Sequence, residues 1–406
     1  MDRVLFFSPA FPAEMPLFCR GLAEVGAPVV GLGDTPEGAL PDELRRCLAD
    51  YVQVPRLFDE EDVVARVRRY ASRHELSRIE CLWEPGMMLA ARLREDLGLP
   101  GMTVAETRPF RDKEEMKLVL DRAGIRTPRH RKASTEPECR LAAEELGYPL
   151  IVKPIAGAGS ADTYRLDAAA DLERVLPRIR HVETVSVEEF VDGEELTFDT
   201  ICHDREIAYF NISWYRPKPL LGRSLEWMSP QTVALRDVGR PDLAPGREMG
   251  RRVLEALSFR TGFTHMEWFL RPDGEAVFGE IGARPPGARS VAIMNWTGGA
   301  DLYRGWAEAV TRKRFSQPTR RTHNAAVIFK RASGEGTIRR IAGLEGLLRR
   351  YGPHIVEVDL LPIGARRRDW KQTLLSDGFV IVRHPDLAST LEMADRVGTD
   401  LRLLAA

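Results

Sequence analysis

The sequence predicts an α/β domain built on a doubly wound parallel sheet, followed by an α+β region and a C-terminal mixed extension. Two observations carry this. Through about the first hundred residues, short apolar runs alternate with stripes at helical spacing, the pattern of parallel strands covered by helices. From Glu195 onward the runs come in pairs separated by short turns, the pattern of antiparallel hairpins.

In order along the chain, Val4-Leu5-Phe6-Phe7 reads as a buried strand and is followed by an apolar stripe through Leu17, Leu22 and Val25. Val29-Val30-Gly31-Leu32 and Tyr51-Val52-Gln53-Val54 read as further strands. Next come a helix through Val63, Val64, Val67 and Tyr70, a strand over 79–83 and a helix ending at Gly98. Gly31-Leu32-Gly33 lacks the third glycine of a dinucleotide fingerprint, which argues against that reading. A second series opens at Asp112 with a helix to Ala123, stopped by Gly124 and Pro128. Strands are expected over 148–154, near Tyr164 and over 185–191, with a helix over 168–179 between the last two. Hairpin strands follow over 196–202 and 207–214, turned at His203-Asp204-Arg205. Residues 216–240, rich in proline, read as a long loop of the kind that forms lids or binding loops. The tail carries strands near 326–330, 355–361 and 378–383 and a final helix. The expected divisions are 1–108, 109–190, 191–324 and 325–406.

The 406 residues are enough for about two to three domains with a sizeable core. Basic and acidic residues nearly cancel, 59 against 60, so no global field favours nucleic acid or an anionic membrane. No apolar run is long enough to span a bilayer. The five cysteines are scattered and never form a CxxC pair, which argues against a zinc or disulfide framework. The chain begins MDRVLFFSPAF, with no basic leader segment. The expectation is a reduced, soluble, cytoplasmic protein whose partners are small molecules.

Three stretches carry candidate chemistry. Residues 264–284 read as a hairpin turned at Arg271-Pro272-Asp273-Gly274. A turn with an even residue count sets Glu267 opposite Phe278 and His265 opposite Glu280, all four on one face, with the two glutamates as diagonal neighbours. Two acids without a basic partner call for a cation, and magnesium suits one or two carboxylates completed by phosphates. A turn with an odd count would put the acids on opposite faces. Arg284, four residues beyond Glu280, could hold phosphate or carboxylate oxygens. In the second stretch, Lys153 lies within a strand and precedes Ala156-Gly157-Ala158-Gly159-Ser160, whose small residues let backbone amides approach phosphate. The third, Glu188-Glu189-Phe190-Val191, continues to Glu195 and is either a solvated acidic edge or an extended hinge offering backbone groups to an adenine.

In this order the pieces resemble the ATP-grasp superfamily over about residues 1–330. The resemblance implies an ATP-grasp fold with an N-terminal parallel-sheet domain and a C-terminal mixed lid or extension. It makes Lys113, which follows Asp112, and Lys153 the phosphate-binding lysines, with Gly157, Gly159 and Ser160 as the loop over the phosphates. Glu188, Glu189, Phe190 and Val191 become the adenine hinge and Glu195 the ribose-binding acid. Glu267 and Glu280 match the magnesium ligands, and Arg284 the arginine that steadies the transferred phosphate. The implied cofactors are ATP and Mg2+, with Mn2+ able to substitute, and relatives leave room for a homodimer. Gly282 stands where many members have an asparagine, and the glycine loop is lean. Both features are closer to bacterial L-amino-acid ligases. The resemblance therefore implies an ATP-dependent carboxylate–amine ligase working through an acyl phosphate. Trp214, His265 and Arg289 are candidate substrate contacts, and Tyr215, Trp227 and Met228 could line an acyl pocket. The alternatives are a biotin-carboxylase-like carboxylase and a nucleotide-binding regulator without chemistry.

Overall fold

The computed structural model describes residues 3–155, 162–373 and 376–406. Strands β1 (Arg3–Phe7), β2 (Val29–Gly33), β3 (Leu48–Gln53) and β4 (Leu76–Glu80) form a parallel sheet in the order β3-β2-β1-β4. Strand alternation divides β1 between two cores. Val4 and Phe6 pack with Phe18 and Leu22 of helix Met15–Glu24 and with Trp306. Leu5 and Phe7 pack with Val63 and Val67 of helix Glu60–Ala71 and with Leu93 of helix Met87–Leu97. Both faces are thus covered by helices, as the doubly wound pattern requires. The strand order reverses between β1 and β4, and the residues just beyond the end of β4 face the crevice where such sheets place ligands.

A second sheet holds β5 (His130–Ala133), β6 (Leu150–Pro154), β7 (Tyr164–Leu166) and β8 (Val185–Glu189), antiparallel in the order β5-β8-β6-β7. Helix Lys113–Arg122 leads into it and is capped by Asp112, whose carboxylate accepts from the amides of Glu114 and Glu115. That cap sets where the helix starts, and so where Lys113 projects.

The third sheet is the largest. It holds β9 (Glu194–His203), β10 (Glu206–Asn211), β11 (Ser213–Arg216), β12 (Gln231–Ala234), β13 (Gly262–Leu270), β14 (Ala276–Gly282) and β15 (Asn324–Phe329). After β16 (Ser333–Gly334) and β17 (Ile338–Ala342), the chain adds β18 (Ile355–Leu360) and β19 (Gly378–His384) to it. Its order is β14-β13-β9-β11-β12-β15-β19-β18, with β10 on β9. Residues on both sides of position 324 therefore share one sheet. A small sheet, β16-β20-β17, closes the chain with β20 (Arg402–Ala405).

The expected loop over 216–240 is interrupted by regular structure. It contains helix Pro219–Ser224 and the buried strand β12, which joins β11 to β15. Four residues are too few to show a period, and the prolines at 217, 219, 230 and 241 flank β12 without entering it. The strand expected over 79–83 lies at β4, where the pair Arg78–Glu80 (2.9 Å) had disguised it as polar. No helix among the described residues is long and apolar enough to cross a membrane. The five cysteines are all free thiols.

Candidate active site

A cleft of about 1190 Å³, open solvent at its mouth included, lies between the second and third sheets. Lys113, Lys153, Glu195, Glu267, Glu280 and Arg284 all line it. Residues spread over more than 170 positions of sequence are brought there by three features: the cap at Asp112, the alternation of β6 and the hairpin β13–β14.

The hairpin differs from the expectation in its turn. Leu270 pairs with Ala276, so the turn is residues 271–275, an odd count that alone would send the two glutamates to opposite faces. The register then slips between Glu267 and Trp268, with Gly279 as the extra residue of a β-bulge, and Glu267 stands directly opposite Glu280. The acids are direct cross-strand partners and not diagonal ones. His265 faces Gly282 and not Glu280, while Phe278 pairs with Trp268 on the buried face and leaves the site.

Each glutamate has a cationic neighbour. Lys113 Nζ lies 3.1 Å from Glu280 Oε1. Glu267 Oε1 lies 3.4 Å from His265 Nε2 and accepts from the Tyr215 hydroxyl at 3.2 Å. Burial would raise the Glu267 carboxyl, but the hydrogen bond and charge of His265 hold it well below the usual range. Burial raises Glu195, and the Glu267 charge raises it further. His265 is itself fixed by Asp199, 2.6 Å from Nδ1, which also accepts from Thr197 Oγ1 (2.7 Å) and Asn211 Nδ2 (3.3 Å). Burial would lower the His265 pKa, yet Asp199 raises it to about 9.

The opposed carboxylates fit magnesium by the hardness of their donors. Among the described residues no group of three or more His, Cys, Asp or Glu side chains could hold a metal ion. A cation here would thus need oxygens from another source, as magnesium takes them from phosphates. At Gly282 a side chain would begin 3.3 Å from Arg284 Cγ, so glycine leaves the arginine its room.

Lys153 reaches the cleft from β6, and Glu188, expected in the adenine hinge, lines the cleft beside it. Its carboxylate is buried between Lys153 Nζ (3.0 Å) and Lys117 Nζ, an ion pair absent from the sequence reading. Burial alone would raise Glu188, and the two lysines overcome it and hold the carboxyl far below its ordinary value. Glu189 pairs with Arg126 and with Arg129 (2.6 Å), and its amide donates to Arg129 O. The amide of Phe190 donates to Pro149 O, and its ring rests 4.0 Å from the Arg165 guanidinium. Phe190 and Val191 line the cleft. Gly157, Gly159 and Ser160 lie outside the described residues.

Arg284 Nε lies 3.0 Å from Glu84 Oε2, and the other oxygen of Glu84 pairs with Arg111. Glu84 was not foreseen. Its signal was position, just past the end of β4 at the crevice of the parallel sheet. A second cavity, about 1640 Å³ with its open solvent, shares His265, Glu267 and Arg284 with the first. Its walls are mainly apolar, with Phe18, Trp83, Pro217, Pro219 and Pro285 among them, and Tyr215 lies near the junction.

Two expected substrate contacts lie elsewhere. Trp214 alternates away from Tyr215 on β11 and donates from Nε1 to Glu194 Oε2 at 2.7 Å. It lines a basin that adjoins the cleft at Phe190 and Lys218 and the second cavity at Tyr215 and Arg331, and that Met228 and the exposed Trp227 also line. Arg289 turns its guanidinium to Glu357, over the Phe379 ring at 5.1 Å, while its amide donates to Glu14 Oε1 at 2.9 Å. It ties the start of helix Met15–Glu24 to β18 of the third sheet and lines neither cavity.

A family model described as an ATP-grasp domain matches residues 110–214. The chain is 28% identical over 208 residues to the L-arginine-specific L-amino acid ligase of Bacillus subtilis, covering 50% of this chain and 49% of that protein. It is 25% identical over 268 residues to the alanine–anticapsin ligase of Bacillus subtilis, covering 60% and 56%. The chain spans about half the length of the curated relatives it matches. In fold it is similar to the L-amino acid ligase from Bacillus licheniformis, with a TM-score of 0.81 and 21% identity over 100% of this chain and 99% of that one. The fold is the ATP-grasp fold.

Proposed function

We propose that this chain, which belongs to the ATP-grasp superfamily, is an ATP-dependent carboxylate–amine ligase that joins an amino acid or other small carboxylate to an amine. The observation that carries this reading is the junction of the two cavities. The cleft lined by lysines and paired glutamates opens at His265, Glu267 and Arg284 into a separate apolar cavity. A phosphoryl group and a second substrate can therefore meet at one point while each keeps its own binding surface, which is the positioning that phosphoryl transfer needs most.

In this reading Lys113 and Lys153 neutralise the triphosphate. Magnesium, held by Glu267 and Glu280 with phosphate oxygens, would add charge stabilisation when bound. A substrate carboxylate oxygen attacks the γ-phosphorus, the bond to the bridging oxygen breaks and ADP leaves. The amine nitrogen then attacks the acyl carbon, the carbon–oxygen bond to phosphate breaks, and the nitrogen gives up a proton. Arg284 faces both events and balances the charge on the acyl phosphate and the departing phosphate. Glu84 holds that guanidinium in place. Glu188 acts at one remove, by fixing Lys153.

The test is phosphate release from Mg-ATP across pairs of amino acids and simple carboxylates, with mass spectrometry of the products. A product equal to acid plus amine minus water establishes the ligase. Tight Mg-ATP binding with no release for any pair would count against it.

A further inference from the structure

The second cavity holds more positive charge than the ligase reading has used. Arg223 and Arg331 line it together with Trp370, alongside Glu267 and Arg284. Among the described residues neither Arg223 nor Arg331 forms a salt bridge, whereas most arginines of this chain do. Their bonds go to carbonyls: Arg223 Nη2 donates to Lys371 O at 2.9 Å, and Arg331 Nη1 donates to Gly222 O and Leu225 O, both at 2.8 Å. The Arg331 guanidinium rests 4.5 Å from the Trp370 ring, which fixes its plane. Its Nε is buried with no acceptor, an uncommon state for a buried donor. Burial, and after it the charge of Arg223, lower the Arg331 pKa to about 10, against the opposing charges of Glu226 and Asp377.

We propose that Arg223, Arg331 and Trp370 form a subsite for a substrate carboxylate other than the one that is phosphorylated. A carboxylate supplies two acceptor oxygens to a guanidinium fork and balances both charges. The apolar walls around it fit a substrate with a hydrocarbon or aromatic side chain. The inference rests on the ligase reading only in calling this anion a substrate. The carboxylate could belong to the amine partner, making it an amino acid, or be the second carboxylate of the acyl partner.

Calorimetric binding to the full chain separates these. One arm uses apolar L-amino acids, each beside its carboxamide; the other uses short dicarboxylates, each beside its monoamide. The variant is Arg223→Met, which leaves the carbonyl bonds of Arg331 in place. The wild type should bind the acid about tenfold or more tightly than its amide in one arm, and that arm identifies the source of the carboxylate. In Arg223→Met the preference should vanish while the amide binds as before, and Arg331→Lys should keep part of it. The proposal is overturned if neither arm shows a preference, if Arg223→Met retains it, or if that variant weakens acid and amide alike. The last outcome would mean that the arginines only clamp the helix at 219–224. Because no turnover is needed, lack of product for every pair would count against the ligase reading alone.

Discussion

Glu267 and Glu280 face each other directly across the β13–β14 hairpin, although the turn that joins their strands has the wrong parity to bring them together. The correction is made by one residue. Gly279 is the extra member of a bulge, and a Cβ there would come within 2.9 Å of the Glu267 carbonyl oxygen. A carboxylate pair able to hold a cation thus depends on a glycine with no chemistry of its own.

Replacing that glycine is therefore a test of the site and not only of the fold. Gly279→Val should cost about 1–3 kcal/mol through the backbone shift it forces. It should depress Mg-ATP turnover more than a loss of folded protein explains, because the shift falls on Glu267. Urea unfolding beside phosphate release would measure both. Wild-type turnover in a well-folded variant would show that the bulge geometry does not matter.

Neither the fifth residue of the turn nor the bulge that offsets it can be counted from sequence, and the two departures from the even, regular hairpin cancel in parity. That is why the acids were legible as a pair while their register was not. The parallel sheet was legible because Val4 to Phe7 is apolar at every position, which only a strand covered on both faces requires. Strand β12 was hidden because its four buried residues are set among prolines. Lys117, Asp199 and Glu84 were invisible for another reason. Their roles come from partners 71, 66 and 200 positions away, and no local pattern marks a buried charge by the partner it will meet.

The partnership of Glu188 with Lys117 and Lys153 predicts a specific acid sensitivity. Its carboxyl titrates lower in the folded chain than in the unfolded one, so its stabilisation is present above the ordinary glutamate range near pH 4.5 and is lost as pH falls below it. Glu188→Gln leaves two lysines without their anion and should cost about 3–5 kcal/mol near neutral pH. The variant should also lose part of the wild type's steepening between pH 5 and pH 3. Denaturant melts of both proteins across that range would decide; parallel curves would mean the triad adds nothing to stability.

Cation and nucleotide should stabilise the chain only together, because in the proposed site the glutamate pair would need oxygens from a phosphate to complete a magnesium shell. At a hundred times the dissociation constant, Mg-ATP should add about 2.7 kcal/mol to the folded state. ATP with a chelator, or Mg-ATP with Glu280→Gln, should add much less. Thermal shift gives the answer directly. Equal shifts with and without the metal would remove Glu267 and Glu280 from the cation site.

Arg284 and Glu84 should separate binding from chemistry. Arg284 lines both cavities, and in the proposed reaction its charge acts on the transferred phosphate and not on the nucleotide base or ribose. Arg284→Ala should keep Mg-ATP affinity within about threefold yet lose about 3–4 kcal/mol of transition-state stabilisation, by comparison with loss of a fixed oxyanion donor. Glu84 pairs with the guanidinium and in the proposed reaction acts only through it, so Glu84→Gln should lower kcat less, and should leave the KM for ATP unchanged. Arg284→Lys discriminates further. A lysine keeps the charge but cannot reach Glu84 and the Pro285 carbonyl at once as the guanidinium does, so its kcat should fall between wild type and alanine. If Arg284→Ala instead raises the KM for ATP and spares kcat, the arginine belongs to nucleotide binding, and the acyl phosphate must be steadied by Lys113 or Lys153.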